Sequence, residues 1–214
     1  VVRRSSQGGE LPAAPHRGGG PAGATVVYFG LLTPEKGLDD VLALAERAQE
    51  RPGTRVLIVG RAEPRHPDLP ARLQARARSL PVDWAVDLDA EEVAVRLASA
   101  SVGYLPFPDG ASERRSSLLA LMVNGVATLT TPGPFVDAEL ADAVELVEGP
   151  DAAWAATARL LDDEEARRAL AGRALRYGRA RDWEDIARRH LELYDRLLSS
   201  RSRTRPRPPG ERTA

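Results

Sequence analysis

Residues 55–60 read Arg-Val-Leu-Ile-Val-Gly, a run with no polar side chain between its first and last residues. A strand with one solvated face alternates apolar and polar positions, so this run belongs to a sheet covered on both sides. The residues before it, 38–48, place Leu38, Val41, Leu42, Ala45 and Ala48 at spacings of three and four, the period of a helix with one buried stripe. The alternation recurs along the chain. Strands are predicted at 24–30, 55–60, 82–86, 101–105, 126–131 and 143–147, with helices at 38–51, 71–80, 90–99 and 118–123 between them. A short helical turn is expected over 135–141, and helices at 151–162, 164–179 and 183–199 close the chain. Strands alternating with helices specify an α/β fold: a doubly wound, Rossmann-like parallel sheet of about six strands with right-handed crossovers and C-terminal helices.

Three segments are expected. Residues 1–23 are rich in Gly, Pro, Arg and Ser without apolar periodicity and read as disordered; residues 24–199 read as one domain; the Arg-rich tail 200–214 reads as disordered. The last helix is expected to bury Ile186, Leu193, Tyr194 and Leu197, with His190 a partly buried structural residue one turn after Ile186. The first residue is Val1, which fits a fragment or an alternative start codon.

Composition excludes several classes. The chain has no cysteine, which rules out disulfides and thiolate chemistry, and its formal net charge of −1 gives no field calling for nucleic acid or a membrane surface. No apolar run approaches bilayer length and no signal peptide is visible, so an integral membrane segment is not expected and a cytoplasmic location is. Three scattered histidines make no metal site, and neither a Ser-His-Asp set nor a P-loop is present.

Two loops carry chemistry. Of the 30 basic residues only Lys36 is a lysine, in the loop Leu31-Leu32-Thr33-Pro34-Glu35-Lys36-Gly37 that follows the first strand. In a chain that uses arginine wherever a cation suffices, a single lysine marks a compact point charge. The second loop follows the fourth strand and runs through Pro108-Asp109-Gly110 to Arg114-Arg115-Ser116-Ser117 at the start of an apolar helix. The first amides of a helix have no internal partner and carry the positive end of its dipole, so the loop combines amides, hydroxyls and guanidinium groups suited to an anion. Both loops leave parallel strands at the carboxyl edge, where open α/β sheets bind ligands. Lys36, Gly37, Arg114, Arg115, Ser116 and Ser117 are therefore expected to meet at a diphosphate.

From YFGLLTPEKG through VLIVG, LPFPDG and NGVATLTTPG to LLDDEEARRAL…ARDWEDIARRHLELYDRLL, the chain resembles the C-terminal, donor-binding domain of the retaining glycosyltransferases of family 4, glycosyl transferases group 1, with a two-domain GT-B fold. The resemblance covers about residues 24–199. It implies one half of a GT-B fold, a UDP- or GDP-linked sugar nucleotide as donor substrate and an N-terminal acceptor domain or partner chain; no cofactor besides the donor is expected, and the scattered histidines give no reason to expect a metal. It also implies that Asp87 and Leu88, after the third strand, meet the nucleobase.

The chain departs from the family at specific positions. The arginine of the first loop is Leu31, and the two glutamates of the fourth-strand loop fall on Ser112 and Ala120, with Glu113 beside the first. Arg114 and Arg115 are in place to restore the lost cation. The reading that follows is the donor-binding half of a retaining glycosyltransferase; the alternative is a catalytically silent nucleotide- or anion-binding interaction module.

Overall fold

The computed structural model describes residues 23–181 and 183–203. The chain divides into two units, Val1–Gly178 and Arg179–Ala214, a division that falls inside the span read from sequence as one domain. The segment 1–22 and the tail 204–214 lie outside the described residues.

The first unit is a six-stranded parallel sheet in the order β3-β2-β1-β4-β5-β6. Its strands are β1 (Thr25–Leu32), β2 (Arg55–Ala62), β3 (Val82–Val86), β4 (Val102–Leu105), β5 (Ala127–Thr130) and β6 (Glu145–Leu146). Between them run α1 (Leu38–Ala48), α2 (Leu69–Arg76), α3 (Ala90–Ala98), α4 (Ser116–Val123) and α5 (Ala138–Ala143), followed by α6 (Gly149–Asp162) and α7 (Glu164–Arg179). All five strand pairings are parallel. The expected doubly wound fold is the observed one. The order of strands reverses between β1 and β4, because the chain builds outward through β2 and β3 and then returns to the far side of β1.

Burial follows the sequence pattern. Every residue of β4 and of β5 is buried, as strands covered on both faces must be. Leu118, Leu121 and Met122 of α4 have no exposed surface, and α1 buries Leu38, Val41, Leu42, Leu44, Ala45 and Ala48. Cutting one such leucine to alanine costs about 2–5 kcal/mol. Helix α1 packs on α6, and their rims are joined by Arg51–Asp162 at 2.7 Å and Trp154 Nε1 donating to Glu50 at 3.2 Å. Asp89 starts α3 with a reciprocal capping box: its carboxylate accepts from Glu92 N at 2.8 Å, and its own N–H donates to the Glu92 carboxylate at 3.3 Å.

The second unit contains α8 (Trp183–Arg203), which runs past residue 199, where the tail was expected to begin. It also corrects one expectation. Leu193, Tyr194 and Leu197 are 44%, 55% and 53% exposed rather than buried, and His190 is exposed, its ring nitrogen 2.8 Å from the Ile186 carbonyl. Apolar spacing marks a stripe on a helix but does not say what covers it.

Candidate functional site at the switch point

After β1 the chain makes a single 3-10 turn over Pro34–Lys36 and enters α1 through Gly37. Gly37 has φ 66°, the left-handed region, and a Cβ there would stand 1.9 Å from the Pro106 carbonyl oxygen. The loop after β1 thus lies backbone against backbone on the start of the loop after β4. Only glycine permits both the dihedral and the approach. Lys36, half-buried, is the residue before this contact.

The loop after β4 is fastened on its other side to the loop after β5. Thr131 Oγ1 donates to Phe107 O at 2.6 Å, and Ala111 N donates to Thr131 O at 3.1 Å. Gly110 and Gly133 touch through their backbones: a Cβ on Gly110 would lie 2.5 Å from Gly133 Cα. A parallel bridge between Ser112 and Phe135 carries the pairing beyond the ends of the strands. From there the chain turns at Arg115 into α4, whose N-terminus has no side-chain cap. The amides of its first turn are left for solvent or a ligand. Ser116 is exposed, and Ser117 is half-buried with its Cβ 3.9 Å from the Cβ position of Gly30 near the end of β1.

The two arginines do different things. Arg115 is held by protein groups: it pairs with Asp109, donates to the Gly110 carbonyl at 3.3 Å, and lies 4.7 Å from the centroid of the Phe107 ring. Arg114 is exposed. The Asp109 carboxyl is held below the ordinary aspartate range, first by the hydrogen bond from Arg115, then by its own backbone N–H and by the charges of Arg115 and Lys36. Lys36 and Arg115 both follow strands at the carboxyl edge of the sheet, and Asp109 is paired with Arg115. Among the described residues no carboxylate lies within 4.0 Å of the Lys36 ammonium.

Asp87 and Leu88 occupy the same edge, after β3, two strands away from β1. Asp87 has φ 57°, a conformation few non-glycine residues take. It is fixed there by its N–H donating to Gly60 O at 2.9 Å and its carboxylate accepting from Ala62 N at 3.2 Å. Leu88 is half-buried against the core. The carboxyl edge thus carries polar groups at Lys36 and residues 106–117 and, two strands away, the apolar side chain of Leu88. The pairing of Arg115 with Asp109 and Phe107 is not legible in the sequence, because nothing in it says that Arg115 folds back six residues. Ser112 is buried, and Leu31 is 43% exposed.

No family model and no curated protein matches the chain. Solved structures do. The chain is similar to sucrose-phosphate synthase from Thermosynechococcus elongatus at 23% identity and a TM-score of 0.69, over 85% of this chain and 47% of that one. It is similar to Anabaena HepE, solved in complex with UDP, at 16% identity and a TM-score of 0.66, over 83% and 49%. The C-terminal domain of the glycosyl transferase group 1 family protein LpcC from Francisella tularensis superposes with a TM-score of 0.62 at 14% identity, over 74% of this chain and 85% of that domain. The chain spans about half the length of the full-length enzymes and most of the isolated domain. Its α/β unit has the fold of the C-terminal domain of GT-B glycosyltransferases.

Proposed function

We propose that the chain is the donor-binding half of a retaining glycosyltransferase and takes a UDP- or GDP-linked sugar at the carboxyl edge of its sheet. The contact of Gly37 with Pro106 is the observation that carries this reading, because it brings the one lysine of the chain to the mouth of the loop that opens α4. In the reading, the diphosphate lies between the Lys36 ammonium and the first amides of α4. Ser116 and Ser117 donate their hydroxyls, and Arg114 supplies the second cation. Arg115 keeps Asp109 neutralised, so that its carboxylate does not repel the phosphates. The base rests on Leu88 beside the fixed backbone of Asp87. HepE was solved with UDP, which fits a donor of this class. The acceptor comes from an N-terminal domain or a partner chain, and the reaction runs in the cytoplasm.

Hexosyl transfer would break the bond from the anomeric carbon to the β-phosphate oxygen, form one from that carbon to an acceptor hydroxyl oxygen whose proton passes to the departing phosphate or to solvent, and leave negative charge developing on the β-phosphate. A fixed ammonium and helix amides at that oxygen stabilise the charge as it develops.

Removing one charge-assisted hydrogen bond costs roughly 1.5–3 kcal/mol, about ten- to a hundredfold in affinity. Titrating UDP, GDP and ADP by calorimetry into the wild type, Lys36→Ala and Arg114→Ala tests the reading. At least one nucleotide is expected to bind, Lys36→Ala to weaken it by about that factor and Arg114→Ala by less, with unfolding temperatures unchanged. A wild type that binds none of them, or a Lys36→Ala protein that binds as well as wild type, would sink the reading.

A further inference from the structure

Phe135 is 72% exposed, the most exposed large apolar side chain among the described residues. It does not hang on a free loop. The parallel bridge to Ser112, the Gly110–Gly133 contact and the Ala111–Thr131 hydrogen bond fix its backbone to the loop that leads into α4. Val136 N donates to Gly133 O at 3.2 Å and tightens the same turn. Two glycines are spent on this seam, since a Cβ on either would lie within 2.7 Å of the other's Cα. The result is an aromatic ring left in water on a backbone held three residues from Arg115 by its pairing with Ser112.

The sheet says what would reach it. Neighbouring strands lie about 4.8 Å apart, so β3 and β5 stand about 10 Å to either side of β1. A nucleotide sugar with its base at Leu88 and its diphosphate over β1 and β4 has used the first of these spans. Its sugar continues toward the loops after β4 and β5, where Phe135 is. A pyranose ring has a face of C–H groups, and such groups suit the electron-rich face of an aromatic ring. Resting on the donor-site reading above, we infer that Phe135 is a platform for the sugar of the donor, a specificity-determining residue that contacts the hexose and neither the base nor the phosphates.

A ring that meets only the hexose distinguishes a sugar nucleotide from the free nucleotide. Calorimetry is run on the wild type, Phe135→Ala and Phe135→Leu with UDP, UDP-glucose, GDP and GDP-mannose. For the nucleotide that binds, the free diphosphate is expected to bind both variants within about twofold of wild type, and its sugar conjugate to weaken by about three- to tenfold in Phe135→Ala. Phe135→Leu keeps apolar area without the aromatic face and is expected to lose nearly as much. If the conjugate binds Phe135→Ala as it binds wild type, or if conjugate and free diphosphate weaken together, the platform is wrong while the donor site stands. If the wild type binds no nucleoside diphosphate, the donor site fails and the platform with it.

Discussion

Gly37 lets the loops after β1 and β4 meet backbone to backbone, and it can be tested against another glycine of similar dihedral. At φ 66° with a carbonyl oxygen 1.9 Å from its Cβ position, Gly37→Ala must both strain its own backbone and push the two loops apart. Gly53 has φ 86°, but the nearest atom to its Cβ position is 3.7 Å away, so Gly53→Ala meets only the backbone strain. Urea denaturation is expected to show a loss of about 1–3 kcal/mol for Gly37→Ala and about 1 kcal/mol for Gly53→Ala. Only the former should weaken nucleotide binding. Equal losses in stability, with binding intact in both, would mean that the contact with Pro106 positions nothing. Lys36 could be picked out from sequence because a lone lysine among arginines is visible in the string. The division of labour between Arg114 and Arg115 could not, since both are the same residue type one position apart and the carboxylate that engages Arg115 lies across a turn.

At the scale of elements, the edge of the sheet offers a test in pH. Arg55 at the start of β2 donates through two nitrogens to both oxygens of Asp83 on β3, each at 2.5 Å. The hydrogen bond from Arg55 lowers the Asp83 pKa in the folded protein, with the Arg55 charge adding to it and desolvation opposing. A carboxyl whose folded pKa is depressed stabilises the fold above its unfolded pKa, about 3.9, and loses that contribution as pH falls through the folded value. Both side chains are about half exposed, so the contribution is at most about 1 kcal/mol. The stability difference between wild type and Asp83→Asn is therefore expected to be present at pH 6 and to shrink below about pH 4 when followed by urea denaturation. A difference that stays constant through that range would remove the pair from the account. The capping box is the second test at this scale: Asp89→Ala should cost about 0.5–2 kcal/mol, whereas Asp163, which accepts from Ala166 N, offers a simpler one-sided cap for comparison. These elements were legible because their signals are local. The β2 run, the helical periods and the Asp89–Glu92 spacing each name their own structure. Helix α8 shows the limit: its stripe was plain in the sequence, but the exposure of Leu193 and Tyr194 depends on what lies opposite.

At the scale of the whole molecule, the sheet order explains why two loops nearly 80 residues apart in sequence leave one edge of the sheet side by side. β1 and β4 are neighbours with Val26 opposite Val102, and each strand delivers its loop to the same edge. The periodicity of apolar runs specified the fold class, but neither the contact of Gly37 with Pro106 nor the seam from Gly110 to Gly133 could be read before the loops were placed in space. The chain spans about half of the full-length enzymes it resembles, and donor binding is one side of a transfer reaction. Residues 1–214 alone are expected to bind a nucleotide sugar without transferring it to a defined acceptor above background; measured turnover by the purified chain would contradict the division into donor and acceptor halves.

Whether the loops after β1 and β4 form one diphosphate site is decided by a crystal structure of the chain soaked with the tightest-binding nucleoside diphosphate. The account predicts the β-phosphate within hydrogen-bond distance of Lys36 Nζ and of the first amides of α4, with the base against Leu88. A nucleotide seated elsewhere on the molecule, or one whose phosphates face away from Lys36, would contradict it.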